Sequence, residues 1–275
     1  MKAHWKIADL PWAALEPAQV DADLLATIKT AALVEANSAD YVTYLHNVFS
    51  DDAEFRAAAD VWGVEEAQHG AALAQWAARI DPSFDFAASL ACFRAGYQLP
   101  LTATHSVRGS RAGELVARCV VESGTCSFYS ALRDSTEEPV LRQICHHIAQ
   151  DEAAHYRLFQ THLRRYLAGQ PLGFWARLRV AVGRLHETGD DELAYAYYSA
   201  NLALPAHPPY ERKSCATAYW RRAMARYQRR HVRSAAHMIL AAVDLKPGRA
   251  WVTWAVAGVW RILQWKLQRL HRLPA

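Results

Sequence analysis

The segments WGVEEAQHGAAL (62–73) and LRQICHHIAQDEAAH (141–155) decide the fold. Each holds an acidic pair followed by a histidine, EEAQH at 65–69 and DEAAH at 151–155. On a helix, residues three apart share a face, so Glu66/His69 and Glu152/His155 can each converge on one ion. One such pair arises often by chance. Here it is doubled within a larger repeat: LVEANSADYVTYL (33–45) aligns without a gap on VVESGTCSFYSAL (120–132), which puts Glu35 and Glu122 in register. Antiparallel helices present ligands at one height only if the turn lies midway between them. The midpoint of 35 and 66 falls between Ser50 and Asp51, and that of 122 and 152 falls at Glu137. Capping and proline signals mark turns at both places independently. The ligands then lie about 22 Å from each turn, deep in a bundle.

The rest of the chain agrees with an all-α fold. Apolar residues recur at three- and four-residue spacing and alternating strand patterns are absent. We expect a first helix over about 17–49, a second from Asp52 to Ile80 with Asp51 and Glu54 forming its capping pattern, and a long crossover over 84–110 holding a short helix near 86–97. A third helix spans Arg111 to Asp134, and a fourth runs from Pro139 to about Leu167. The organisation is a four-helix di-metal bundle over 1–170 and a helical extension over 171–275.

Apolar neighbours surround the six candidate ligands Glu35, Glu66, His69, Glu122, Glu152 and His155. Carboxylates buried in this way are costly unless paired or bound to a cation. Four carboxylates and two imidazoles suit a pair of iron or manganese ions, whereas structural zinc favours a tetrahedral set with thiolates. Glu65 and Asp151 precede the motifs and are placed to take the outer N–H of a histidine across the bundle, Asp151 for His69 and Glu65 for His155. Tyr129, seven residues past Glu122, reads as core packing or as a cavity-lining tyrosine near the metals. Cys119 and Cys126 read as small core residues. His46 is weighed only as an extra ligand, and His146 and His147 lie off the stripe.

These motifs resemble those of the soluble acyl-carrier-protein desaturases, a branch of the ferritin-like di-iron carboxylate superfamily. Residues 62–73 look like that family's W-x-x-E-E-N-R-H-G-x-x-L segment, and 141–155 are similar to its A-Q-I-C-x-x-I-A-x-D-E-K-R-H segment. The likeness covers roughly 20–165. It implies a ferritin-like bundle with a long crossover, two iron ions that activate O2, an electron donor such as a ferredoxin, and acyl chains borne on a carrier protein. It also matches Thr125 to a threonine beside the oxygen-binding side of the metals. The chain departs from that pattern in its shorter length, its tighter first hairpin, and the missing Asn-Arg and Lys-Arg within the motifs. The metal centre therefore carries over better than the substrate.

Charge divides the chain. Residues 1–170 hold 14 Lys/Arg against 21 Asp/Glu, and residues 171–275 hold 17 against 6, with six of the ten tryptophans. The basic extension reads as amphipathic helices, one long helix over about 212–245, and a Trp-rich one after Lys246-Pro247-Gly248. It suits packing on the bundle or on a second copy in a homodimer, an anionic membrane surface, an acidic partner such as an acyl carrier protein, or RNA. Five scattered cysteines without a CxxC pair, no signal-like start and no long apolar run suit a cytoplasmic protein, peripheral at the inner membrane face if the basic helices bind lipid.

The leading expectation is an oxygen-dependent di-iron oxidoreductase that desaturates or hydroxylates an unactivated C–H bond of a lipid-like or carrier-bound substrate. Mixed manganese/iron is an equivalent ligand match. The alternatives are a ferroxidase or iron-storage protein and a binding protein with a vestigial site. A long apolar tunnel beside Thr125 and Tyr129 indicates an acyl chain, and a short polar pocket a small polar substrate.

Overall fold

The computed structural model describes residues 4–187, 191–206, 208–245 and 250–270. Its regular elements are all helical, with no strand among the described residues. Three short 3-10 turns lead into α1 (Ala22–Glu35), followed by α2 (Ser38–Val48), α3 (Ala53–Ile80), α4 (Phe86–Gly96), α5 (Arg111–Ser135) and α6 (Pro139–Gly169). The extension adds α7 (Phe174–His186), α8 (Asp191–Asn201), α9 (Arg212–Ala225), α10 (Arg229–Ala242) and α11 (Ala250–Leu270). Helices α1 and α2 pack along α3 and α5 packs along α6, so two hairpins form the bundle, with α4 in the crossover.

Local chemistry explains the ends. Asp52 caps α3, its carboxylate accepting from the Phe55 N–H at 3.0 Å. Asp51, expected to do this, instead pairs with Arg111 at 2.5 Å. Asp52 sits one residue nearer the first turn, where its carboxylate reaches the free N–H groups. It also bonds Tyr166 and Arg165 of α6, which outweigh its partial burial and hold its carboxyl down to about 2. At α6, Glu138 accepts from the Val140 and Leu141 N–H groups while Pro139 opens the helix.

The expected single helix over 17–49 is broken at Ala36-Asn37. Arg94 of α4 donates at 3.0 Å to the Ala36 carbonyl, which the break frees from the helical ladder, and at 3.2 Å to the Asn37 side chain. Gly70 of α3 lies against the same point, with room for no side chain.

The long basic helix expected after 212 is two helices, α9 and α10, which turn at Arg226–Gln228. The Gln228 N–H donates to His231 Nδ1 at 3.0 Å, so a side chain caps the new start. The extension lies on the bundle: α8 packs on α1, while α7 and α10 pack on α5. Expected features at Lys246-Pro247-Gly248, and the side chain of Trp251, fall outside the described residues. No helix among the described residues is long and apolar enough to cross a membrane.

Two apolar cores fill the bundle, one around Leu24, Ile28, Trp76, Leu132 and Ile144, the other around Phe49, Phe55, Trp62, Leu115 and Phe159. Helices α3, α5 and α6 each contribute to both. On α3 the change from the second core to the first falls between Trp62 and Ala72, and on α6 between Ala149 and Tyr156. The charged residues occupy that interval.

Candidate metal centre

Glu35 ends α1, Glu66 and His69 lie mid-way along α3, Glu122 on α5, and Glu152 and His155 on α6. All six are buried. They form two overlapping groups, Glu35/Glu66/His69/Glu152 and Glu66/Glu122/Glu152/His155, within each of which the ligand atoms lie inside 4.8 Å of one another. Glu66 and Glu152 belong to both. Glu152 presents Oε1 to His69 Nδ1 at 3.4 Å and Oε2 to His155 Nδ1 at 3.9 Å. Glu66 presents Oε2 to His69 Nδ1 at 3.6 Å and Oε1 to His155 Nδ1 at 3.2 Å.

The outer face of each imidazole is tied down across the bundle. His69 Nε2 lies 3.0 Å from Asp151 Oδ2, and His155 Nε2 lies 2.8 Å from Glu65 Oε2. Burial pushes the Asp151 carboxyl up, but hydrogen bonds from His69 and Trp5 outweigh it and hold the group below its ordinary value. An ionised carboxylate only accepts, so His69 Nε2 carries the proton of that bond, which leaves Nδ1 as the inward-facing ligand atom once a cation displaces its own proton. Removing such an outer partner costs about 10–100-fold in metal affinity. Asp151→Ala is therefore expected to weaken the Glu35/His69 position by that factor, and Glu65→Ala the Glu122/His155 position. Metal titration should resolve the two effects as separate binding phases. Equal weakening of both phases by either variant would contradict the assignment.

Five buried atoms of the cluster have no hydrogen-bond partner: His69 Nδ1, His155 Nδ1, Glu152 Oε1 and both oxygens of Glu122. A buried acceptor left bare costs about 1–3 kcal/mol and a charged one more. These atoms converge on the interior, which is the donor set a pair of divalent cations requires. Burial and then the neighbouring carboxylate raise Glu35 and Glu122 well above the usual carboxylate range. Burial pulls both imidazoles down, yet their carboxylate partners outweigh it and push them well above normal. The metal-free cluster thus holds protons that cations would displace.

Thr125 donates to Glu152 Oε2 at 2.5 Å, and the buried Tyr129 hydroxyl donates to Glu35. Both hydroxyls touch the cluster rather than merely packing beside it. Cys119 is buried and Cys126 points its thiol at the Ala149 carbonyl, 3.4 Å away. His46 is not brought to the cluster; it pairs with Asp60 at 2.9 Å. His147 stacks on Trp5 with ring centroids 5.1 Å apart.

The sequence reading missed the N-terminal strap. Trp5 donates to Asp151 at 2.6 Å and stacks nearly parallel to the His69 ring, while His4 lies 3.6 Å from Glu65. No periodicity marks a strap of this kind. It also missed Arg118, one turn before Glu122, although a lone cation inside the apolar run LVARCVVE is a visible signal. Arg118, Tyr41, Trp62 and Thr125 help line a cavity of about 70 Å³ that opens onto Glu122 and Glu152.

Neither a known family model nor a curated protein matches the chain. The all-helical fold and the buried acid/histidine cluster that could hold a metal pair stand on the geometry alone.

Proposed function

We propose that the chain is a ferritin-like di-iron oxidase that uses O2 and two electrons from a donor such as a ferredoxin to oxidise an unactivated C–H bond. The observation that carries this is the pair of four-residue groups sharing Glu66 and Glu152, with five buried polar atoms that have no hydrogen-bond partner. Two bound irons would supply the reduction of O2 and the removal of hydrogen, with mixed manganese/iron an equivalent fit to these ligands. Glu35 and Glu122 would each hold one ion from the outside, and Glu66 and Glu152 would face both.

The residues around the ligands have distinct tasks. Asp151 and Glu65 hold the imidazole tautomers. Tyr129 and Thr125 each donate a hydrogen bond to a ligand carboxylate, which steadies it and keeps a hydroxyl beside the cluster. The two apolar cores on either side keep water from the cluster, which strengthens its electrostatics. Trp62 sets its ring edgewise to His155, closing the cavity on that side.

The cavity bears on the choice of substrate. At about 70 Å³ it is far below the ~300–1,000 Å³ typical of sites for drug-sized ligands, and its lining carries charge. That supports a small polar substrate over the lipid-like or carrier-bound chain expected from the resemblance. The exposed Trp254 and Trp265 of α11 support a separate proposal, that the extension rests on an anionic membrane surface.

Anaerobic loading should give two Fe(II) per chain, and admission of O2 should give a transient visible absorption with uptake of O2. Binding of one ion, or none, overturns the proposal. Growth of a ferric core in a shell of many subunits would instead turn it to iron storage.

A further inference from the structure

Arg118 is an unusual residue for its place. It is only 6% exposed, on a helix face that it shares with Glu114, Leu115, Cys119 and Glu122. Its Nε has no hydrogen-bond partner, and the nearest carboxylate oxygen, Glu114 Oε1, is 3.5 Å away. The other Glu114 oxygen is already used, accepting from Tyr44 and Ser106 at 2.8 Å each. The guanidinium is nevertheless held in place. It lies over the Tyr41 ring, 4.8 Å from the centroid, and the Tyr41 hydroxyl is anchored on Glu192 at 2.7 Å. An oriented, buried cation whose Nε–H has no partner is costly unless something uses it.

The cavity supplies the place for that partner. It is lined by Arg118 and Tyr41, by Glu122, Thr125 and Glu152 of the cluster, by the apolar Val34, Val121 and Trp62, and by Arg184 and Glu192. Arg118 and Glu122 are four residues apart on α5, a separation of about 6 Å along the axis. A planar guanidinium binds a carboxylate through two parallel N–H···O bonds. A carboxylate seated there would direct its carbon chain along the valines, bringing a carbon two to four bonds from the carboxyl group beside the ligands. A volume of about 70 Å³ holds roughly five water-sized groups.

We propose that this cavity binds a small aliphatic carboxylate of about five to seven non-hydrogen atoms, its carboxylate on Arg118 and its carbon chain toward Glu122 and Thr125. The assignment of this ligand as the substrate rests on the di-iron reading; its binding does not. Arg118 is a specificity-determining residue in this scheme, since the carboxylate it holds fixes which C–H bond faces the cluster. A long acyl chain exceeds this volume, and an ammonium group offers the guanidinium no acceptor.

Calorimetric titration of the full-length protein with butyrate, butyramide, butylamine and palmitate tests this, in the metal-free and the iron-loaded forms. Butyrate is expected to bind at least tenfold more tightly than the amide or the amine, with palmitate at least tenfold weaker than butyrate. Arg118→Met should lose tenfold or more and Arg118→Lys should retain part of the affinity. Equal binding of acid and amide, tighter binding of palmitate, or butyrate affinity unchanged in Arg118→Met each overturn it. The last result would place the carboxylate on the metals themselves. If Arg118→Met fails to fold, the headgroup and chain-length series on the unmodified protein still decides. Two irons per chain without selective butyrate binding would remove this inference and leave the di-iron reading; selective butyrate binding without iron uptake would do the reverse.

Discussion

Glu152→Ala is expected to remove both metal ions, whereas Glu35→Ala removes one. The two oxygens of Glu152 face different histidines, and the residue belongs to both ligand groups. Glu35 belongs to one group only. Metal content measured after loading and desalting should therefore fall to near zero in the first variant and to about half in the second. Stability follows the same division. Metal at about 1,000 times its dissociation constant stabilises the folded state by ~4 kcal/mol. In a chain of this length that is a rise in melting temperature on the order of 10 °C. Glu152→Ala should lose the whole increment. Its metal-free form should itself melt below the metal-free parent, because the substitution takes a buried partner from His69, His155 and Thr125. A Glu152→Ala protein that still carries two ions and the full increment would refute the shared-ligand geometry.

Gly70→Val is expected to damage the centre from outside the ligand set. Gly70 follows His69, and a Cβ placed on it would meet the Ala36 backbone nitrogen at 2.6 Å and the Ala36 Cα at 2.9 Å. Those atoms are main chain, at the break between α1 and α2 and next to Glu35, so no side chain can swing aside. Overpacking of this kind costs about 1–3 kcal/mol, and the shift moves Glu35 away from the cluster. We expect a lowered melting temperature and at least a tenfold loss of affinity for the first ion. Gly124→Ala is the internal control. It lies two residues from Glu122, nothing lies within 4 Å of its would-be Cβ, and alanine there should be neutral or stabilising by up to ~1 kcal/mol. Equal metal affinity in the Gly70 variant and the parent would sink the argument from close approach.

Much of this architecture is legible in the residues themselves. Helix starts at Asp52, Ser110 and Glu138 carry capping side chains, and the apolar spacing gives the lengths of α3, α5 and α6. The depth of the cluster follows from turn positions and a constant rise per residue. The break at Ala36-Asn37 is of another kind. No proline or glycine marks it, and its carbonyl is satisfied by Arg94, more than fifty residues away. The expected continuous helix over 212–245 fails for a similar reason: α10 is restarted by His231, which also contacts Asp134 of α5 at 3.0 Å.

Periodicity and spacing determined the helical class, the two hairpins and the level at which Glu35, Glu66, His69, Glu122, Glu152 and His155 meet, because those depend on local geometry repeated along one chain. Only the tertiary structure decided which carboxylates face both histidines, that Trp5 backs Asp151, and that Arg118 is buried at the wall of a small cavity. Such relations join side chains far apart in sequence, and their strength depends on burial, which no local pattern specifies.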